Sequence, residues 1–320
     1  MNHSADETRA SLANNLRYFI KWSLIALLIG GTGGLIGSLF SMGVSFATSF
    51  RMNHPNMLFF LPVSGILIVW LYHTFHEEGN RGTNMVIDAI SSTEKVTLAT
   101  GPLIFVSTVL THIAGGSSGR EGAALQLGGS LGNLFGNAIH LDEKDKKIAI
   151  MCGMSAVFSA LFGTPVAAAI FPLEVISIGV LYYAALVPCI FSSFIGVGIA
   201  RYLGIAGEHF TVLSIPAISV SSVGWIIFLS ALCAGVSIVF CLMLHGAEHT
   251  YRKIFPNPYV RILAASAIFI LLTLLIGTRD YCGSSMPLIE RSMEGEIGYE
   301  AFFLKMLFTA IALGAGFKGG

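Results

Sequence analysis

Eight stretches of this chain run for 17 to 39 residues without one Asp, Glu, Lys or Arg. The longest are Trp22–Phe50, Ile148–Leu173, Val175–Ala200 and His209–Ala247. About 20 consecutive apolar residues cross the hydrocarbon core of a bilayer as a helix. A backbone in lipid must satisfy its own hydrogen bonds, so helices and closed barrels are the available spanning structures. Barrel strands alternate apolar and polar residues, and these runs do not. The expected fold is therefore all-α and polytopic. Composition agrees: charged residues make up 11% of the chain, against about 25% in soluble proteins. That excludes a water-soluble enzyme, a disordered protein and a polycationic nucleic-acid binder. The runs are uneven in length, and Gly122–Leu141 and Ala301–Gly316 are interrupted by glycines. The pattern predicts tilted and broken helices rather than a regular bundle.

The first run follows a polar segment of 21 residues and is too long for a signal-peptide core. Residues 10–21 read as a short amphipathic helix leading into it. Arg9, Arg17 and Lys21 precede the span, whereas Arg51 and His54 follow it. This bias favours a cytoplasmic N-terminus. The 39-residue run is expected to hold one span and an apolar loop. Five cysteines, four of them in apolar runs, read as buried small hydrophobes rather than as a disulfide framework.

Polar chemistry interrupts the apolar chain at three Gly-rich turns: Gly79–Val86, Gly115–Gly122 and Gly314–Gly320. A helix start leaves its first amides unpaired and carries the positive end of the dipole. Glycines let backbone approach an ion closely. Broken helices that aim their N-termini at the membrane centre hold anionic groups in secondary transporters. The second turn is the most informative. Arg120 and Glu121 follow 24 uncharged residues, and the next charge is Asp142. An ionisable group in such a place is a functional candidate by default. Gly30, Gly31, Gly33 and Gly34 instead read as helix-packing positions.

Gly119-Arg120-Glu121-Gly122 resembles the G(K/R)EGP signature of the CLC family of chloride channels and anion/proton antiporters. The stretch Gly153–Pro165, followed by Phe171-Pro172-Leu173-Glu174, is similar to the next two helices of that family. The chloride-type members carry GSGIP at the first turn; here the matching residues are Gly82, Thr83, Asn84, Met85 and Val86. Met85 stands in the place of the Ser, which resembles the bacterial fluoride/proton antiporters, the CLC-F clade. The closing Gly316-Phe317-Lys318-Gly319-Gly320 is similar to the start of that clade's third motif. Two departures stand out. Ala123 replaces the Pro of the signature, and Val175 stands where chloride/proton exchangers carry a second, proton-relaying Glu.

The resemblance implies a CLC-type inverted repeat with no enzymatic activity, no cofactor and no metal. Its organisation would be a cytoplasmic amphipathic segment (1–21), a first repeat (22–201), a connection (202–221) and the first part of a second repeat (222–320). The first spans 180 residues and the last 99, so the chain is expected to be C-terminally truncated and unable to transport alone. Implied partners are fluoride or chloride, protons, membrane lipid and a second copy in a homodimer, in a bacterial inner membrane. Anion-binding candidates are Gly82, Thr83, Asn84, Met85, Val86, Gly119, Arg120, Gly122 and Ala123. Glu121 is the gating and proton-coupling candidate: deprotonated it competes with the anion, protonated it leaves the site. The expected activity is fluoride export against protons, with a chloride channel or chloride/proton exchanger as the alternative. Amides of Asn84, Met85 and Val86 are expected to face the ion.

Three other patterns carry different chemistry. Gly116-Ser117-Ser118-Gly119 fits the nucleophile turn of rhomboid-like proteases, but His112 is poorly spaced to serve as base. His245, Glu248 and His249 offer two His at i and i+4 in the wrong order for a zinc helix, and read as an interfacial helix end. His73, His76, Glu77 and Glu78 read as a solvated loop, and Leu141–Lys147 as a surface loop or helix start.

Overall fold

A computed structural model of the chain describes residues 2–80, 82–91, 96–175, 182–207, 217 and 219–319. Arg81 of the first turn, Gly320 of the third, and residues 208–216 and 218 of the expected connection lie outside the described residues. Every described regular element is helical. In order they are α1 (Asn2–Asn53), a 3-10 turn (Pro55–Phe60), α2 (Leu61–Thr74), α3 (Thr83–Ser91), α4 (Thr100–Ile113), α5 (Glu121–Ala138) and α6 (Glu143–Phe162). Then come α7 (Pro165–Val175), α8 (Tyr183–Tyr202), α9 (Val220–Ile254), α10 (Pro258–Ile276), α11 (Met286–Met293) and α12 (Glu300–Ala315).

Among the described residues, five segments are long and apolar enough to cross a membrane: Leu12–Asn53, Pro55–Thr74, Tyr183–Tyr202, Val220–Ile254 and Pro258–Ile276. At about 1.5 Å per residue, the 35 residues of α9 reach well beyond a hydrocarbon core of about 30 Å, so the helix is long enough to tilt. Beside these stand helices of 9, 11 and 14 residues, too short to span. The unevenness of the charge-free runs thus translates into long and partial helices. Residues 10–21 form no separate element; they continue α1 without a break.

Local signals set the boundaries. Asp142 caps α6, its carboxylate accepting the Asp145 N–H at 2.8 Å, and Glu143 and Asp145 favour the positive end of the dipole. Leu141–Lys147 is therefore a helix start. Gly163 ends α6 with φ +72°, and Pro165 opens α7. Ser219 caps α9 through its hydroxyl and the Ser222 N–H.

The chain divides into two compact units. Neither is a continuous stretch, and residues 22–201 contribute to both. The first unit comprises residues 1–43, 79–105 and 121–208. Here α6 is the central helix, packed by α5, α7 and α8. The packing of α5 on α6 is backbone to backbone: a Cβ on Gly128 would strike the Gly153 carbonyl, and one on Gly132 the Ala149 carbonyl. Along α1, Gly34 lies against Gly196 of α8, where a Cβ would approach within 2.9 Å, and Gly37 against Ala160 of α6 at 3.0 Å. The core gathers Trp22, Ile29, Met85, Val86, Met151, Met154 and Leu173.

The second unit comprises residues 44–78, 106–120 and 209–320. Within it α10 packs on α2 and α12, and α9 packs on α12. Gly314 lies against Ala247 and Gly65 against Ile262, while Phe308 meets Phe269 edge to face and Tyr281 at a tilt. The most apolar window of α9 has no buried residue. Cys233 and Cys241 on α9 are exposed, which corrects their reading as buried hydrophobes: this helix packs only near its C-terminal end. Cys152, Cys189 and Cys282 are buried, and all five are free thiols.

The glycine packing gives a paired test. Gly132→Leu forces side-chain volume into the α6 backbone and should lower thermal stability in detergent by the ~1–3 kcal/mol typical of overpacking, or more. Gly198 of α8 has nothing within 4 Å of an added Cβ. Gly198→Ala should therefore match or exceed the parental melting temperature.

Candidate anion site

The first Gly-rich turn is built to start a helix. Gly82 adopts φ +67°, a conformation that costs a residue with a Cβ. Its N–H donates to Asn80 Oδ1 at 2.8 Å, and its carbonyl accepts the Met85 N–H at 3.1 Å. The chain then passes directly into α3 at Thr83. Of the three amides expected to face an ion, Met85's is thus engaged inside the turn. Asn84 is exposed, whereas Met85 (9% exposed) and Val86 turn into the core. The Met85 thioether is a packing group here.

Glu121 is the first residue of α5, as its sequence position implied. It is exposed, Gly122 is half-buried, and Ala123 is buried. The starts of α3 and α5 are joined: the Thr83 hydroxyl donates to the Gly122 carbonyl at 3.3 Å. Gln126, one turn into α5, donates through Nε2 to Thr83 Oγ1 at 3.3 Å. Two helix N-termini and one carboxylate therefore share one place in the first unit. Both dipoles direct positive potential toward it.

Gly119 and Arg120, both half-buried, belong to the second unit with the rest of the Gly115–Arg120 turn. Gly115 (φ +85°) and Gly116 close α4, the Gly116 N–H reaching the Thr111 carbonyl at 2.9 Å. Ser117 Oγ bonds Thr309 Oγ1 at 2.9 Å and accepts from Lys305 Nζ at 2.7 Å. The third turn lies against the second: a Cβ on Gly319 would come within 2.5 Å of Ser118 Oγ and 2.9 Å of the Gly119 carbonyl. Lys318 donates its N–H to Thr111 Oγ1 at 3.4 Å and holds its ammonium 4.3 Å from the Tyr72 ring centroid.

The nucleophile reading of Ser118 lacks a base. Ser118 Oγ and His112 Nε2 are both buried without a hydrogen-bond partner among the described residues, and His112 Nδ1 meets the Thr108 carbonyl at 2.8 Å. Glu248 of the histidine pattern pairs with Arg252 at 2.7 Å. Among the described residues no cluster of His, Cys, Asp and Glu has a metal-binding arrangement. In the expected solvated loop, His73 pairs with Glu78. Glu77 departs from that reading: it is buried at 6% exposure, because its N–H bonds back to the Tyr72 carbonyl at 2.8 Å and turns it inward.

Lys305 is a residue of this region that the sequence motifs do not flag. Besides Ser117 it donates to the carbonyls of Gly283 at 2.5 Å and Tyr281 at 3.4 Å. One ammonium thus ties the second turn to the 281–283 loop. A local signal exists: Lys305 is the lone charge in the apolar run Ala301–Gly316.

Span-length apolar helices define a multi-pass membrane protein, and its helix-start turns are joined beside a first-turn carboxylate. The family model described as voltage gated chloride channel matches residues 64–320. The chain belongs to this family, the CLC proteins. It is 29% identical over 312 residues to a protein of Pseudomonas syringae pv. tomato named chloride/fluoride channel protein, covering 95% of this chain and 69% of that one. It is 23% identical over 320 residues to a Vibrio cholerae protein named H(+)/Cl(-) exchange transporter ClcA, covering 92% and 68%. The crystal structure of a CLC-type fluoride/proton antiporter superposes with a TM-score of 0.88 at 30% identity, over 94% of this chain and 77% of that one.

Replacing Lys305 with Met removes the donor to Ser117 and to two carbonyls. Leaving buried acceptors unpaired costs about 1–3 kcal/mol, so K305M should melt several degrees below the parental protein in detergent. An unchanged melting curve would show that water replaces the ammonium.

Proposed function

We propose that this protein exports fluoride in exchange for protons, with Glu121 as gate and proton carrier. The observation that carries this reading is the joining of the α3 and α5 starts beside Glu121. A carboxylate and a halide are both negative, and both accept N–H hydrogen bonds at a helix start. They compete for the same amides. When Glu121 takes a proton it loses its hold on those amides and the anion replaces it. When it gives the proton up it displaces the anion. Repeating the cycle from either side moves proton and anion in opposite directions.

The choice of fluoride rests on similarity rather than on ion chemistry. Met85 occupies the place of the hydroxyl donor, and two of the relatives above carry fluoride in their names. Val175 is the residue at the place of the exchanger's second Glu, so protons need a route other than that one. Gly82, Thr83, Asn84, Val86, Gly119, Arg120, Gly122 and Ala123 complete the proposed anion path. Met85 contributes backbone and packing. By the same resemblance the protein is a homodimer in a bacterial inner membrane; the Lys/Arg bias around the first span supports a cytoplasmic N-terminus. Its inverted halves are assigned to 22–201 and 222–320, joined by 202–221.

Liposomes holding the full-length protein, read with fluoride, chloride and pH electrodes, test this. Fluoride efflux should exceed chloride efflux and run with opposing proton movement. Glu121→Gln should abolish the proton movement. Undiminished proton antiport in that variant would remove Glu121 from the mechanism. Chloride flux that matches or exceeds fluoride flux would instead support the chloride channel or exchanger reading.

A further inference from the structure

Arg51, in the last turn of α1, does not extend into solvent as helix-terminal arginines ordinarily do. Its side chain threads between two glycines of the second unit, both in left-handed conformation. A Cβ on Gly115 (φ +85°) would lie 3.2 Å from Arg51 Cδ, and one on Gly283 (φ +64°) 3.1 Å from its guanidinium. The two glycines are themselves bonded, the Gly283 N–H donating to the Gly115 carbonyl at 3.2 Å. Any side chain at either position would close the channel that Arg51 uses. Arg51 Nε is buried there with no hydrogen-bond partner among the described residues.

Arg51 faces a cavity of about 230 Å³, lined also by Arg279, Gly115, Asp280, Cys282 and Ser284. Neither Arg51 nor Arg279 has an ion-pair partner among the described residues. Asp280, the acid in the wall, is engaged by Arg291 at 3.1 Å. Lys305 approaches from behind and donates to the Gly283 carbonyl. Cys282 adds no negative charge: burial pushes its thiol above the ordinary range, with Arg51 and Lys305 pulling weakly the other way. Two guanidinium groups, one with an unused N–H, thus line a chamber whose own acid is already paired. Arg51 is a half-buried cation without a counter-ion, which is costly, and a small anion held in the cavity removes that cost while accepting charge-assisted hydrogen bonds.

We propose that the Arg51–Arg279 cavity binds one small monovalent anion, the transported halide, as a capture site ahead of the Gly-rich turn. Gly115 belongs to both: it lines the cavity and opens the turn that runs to Arg120. The proposal rests on the anion-transport reading, but not on which halide is carried.

The test uses the full-length protein, with bromide as the structural probe. Anomalous diffraction from bromide-soaked crystals should place a peak within hydrogen-bond reach of Arg51 or Arg279, and Arg279→Gln should erase it. Arg279 is exposed, so this variant should fold. In liposomes, Arg279→Gln and Arg51→Lys should raise the half-saturating anion concentration about tenfold, the loss expected for a charge-assisted hydrogen bond. The maximal rate and the proton coupling should stay unchanged. Absence of a bromide peak at either guanidinium, or parental half-saturation in Arg279→Gln, would overturn the proposal. A parental protein that carries chloride but not fluoride would refute the fluoride assignment alone and leave the bromide peak in place.

Discussion

A helix that begins within an apolar medium has up to four N–H groups with no partner and a partial positive charge with no water to screen it. In this chain α3, α5 and α7 are preceded by irregular backbone flanked by apolar helices, so each start must be answered locally. The α7 start is answered by Pro165, which has no N–H to satisfy. The starts of α3 and α5 are answered differently. They are brought together through Thr83, and a carboxylate, Glu121, stands in the first turn of α5. In the proposed mechanism these starts accept an anion through their remaining amides, and the site is gated because Glu121, the resident carboxylate, is titratable.

Bringing helix starts together needs helices that approach more closely than ordinary side chains allow. Glycine supplies that approach. On α5, Gly128 and Gly132 face the backbone of α6, and Gly129 meets Val86 of α3. The face that holds α5 in place is therefore a row of glycines immediately downstream of Glu121. Packing and site are one construction: a change that pushes α5 off α6 also moves the carboxylate. Close glycine packing also suits a membrane, where apolar burial against lipid offers little and van der Waals fit carries association.

Much of this was legible in local sequence. Charge-free run lengths pointed to the helical membrane class, Leu141–Lys147 was readable as a surface loop or helix start, and the isolation of Glu121 marked the candidate carboxylate. The packing role of Gly30, Gly33 and Gly34 was readable from their spacing and is met by close approach to α6 and α8. What stayed hidden depended on partners distant in sequence. Lys305 lies 188 residues from Ser117, and nothing local shows which acceptors it meets. Arg51 looked like an ordinary charge after a span, because its setting is made by Gly115 and Gly283. The inward turn of Glu77 and the exposure of Cys233 and Cys241 likewise depend on tertiary packing that composition does not encode. Substrate choice has the same character: a Met in place of a Ser says what is missing from the site, not which ion the remaining donors prefer.

The central claim is that a carboxylate and an anion alternate at one pair of helix starts, so that proton and anion movements are linked. Thermodynamic linkage is measured most directly by driving one ion with the other. Liposomes containing the full-length protein are loaded with equal fluoride inside and outside, and a pH difference is imposed. Fluoride should then move into the acidic compartment as protons leave it, building a fluoride gradient until the two gradients balance. A pH difference that moves no fluoride, in vesicles that pass fluoride freely down its own gradient, would contradict the account.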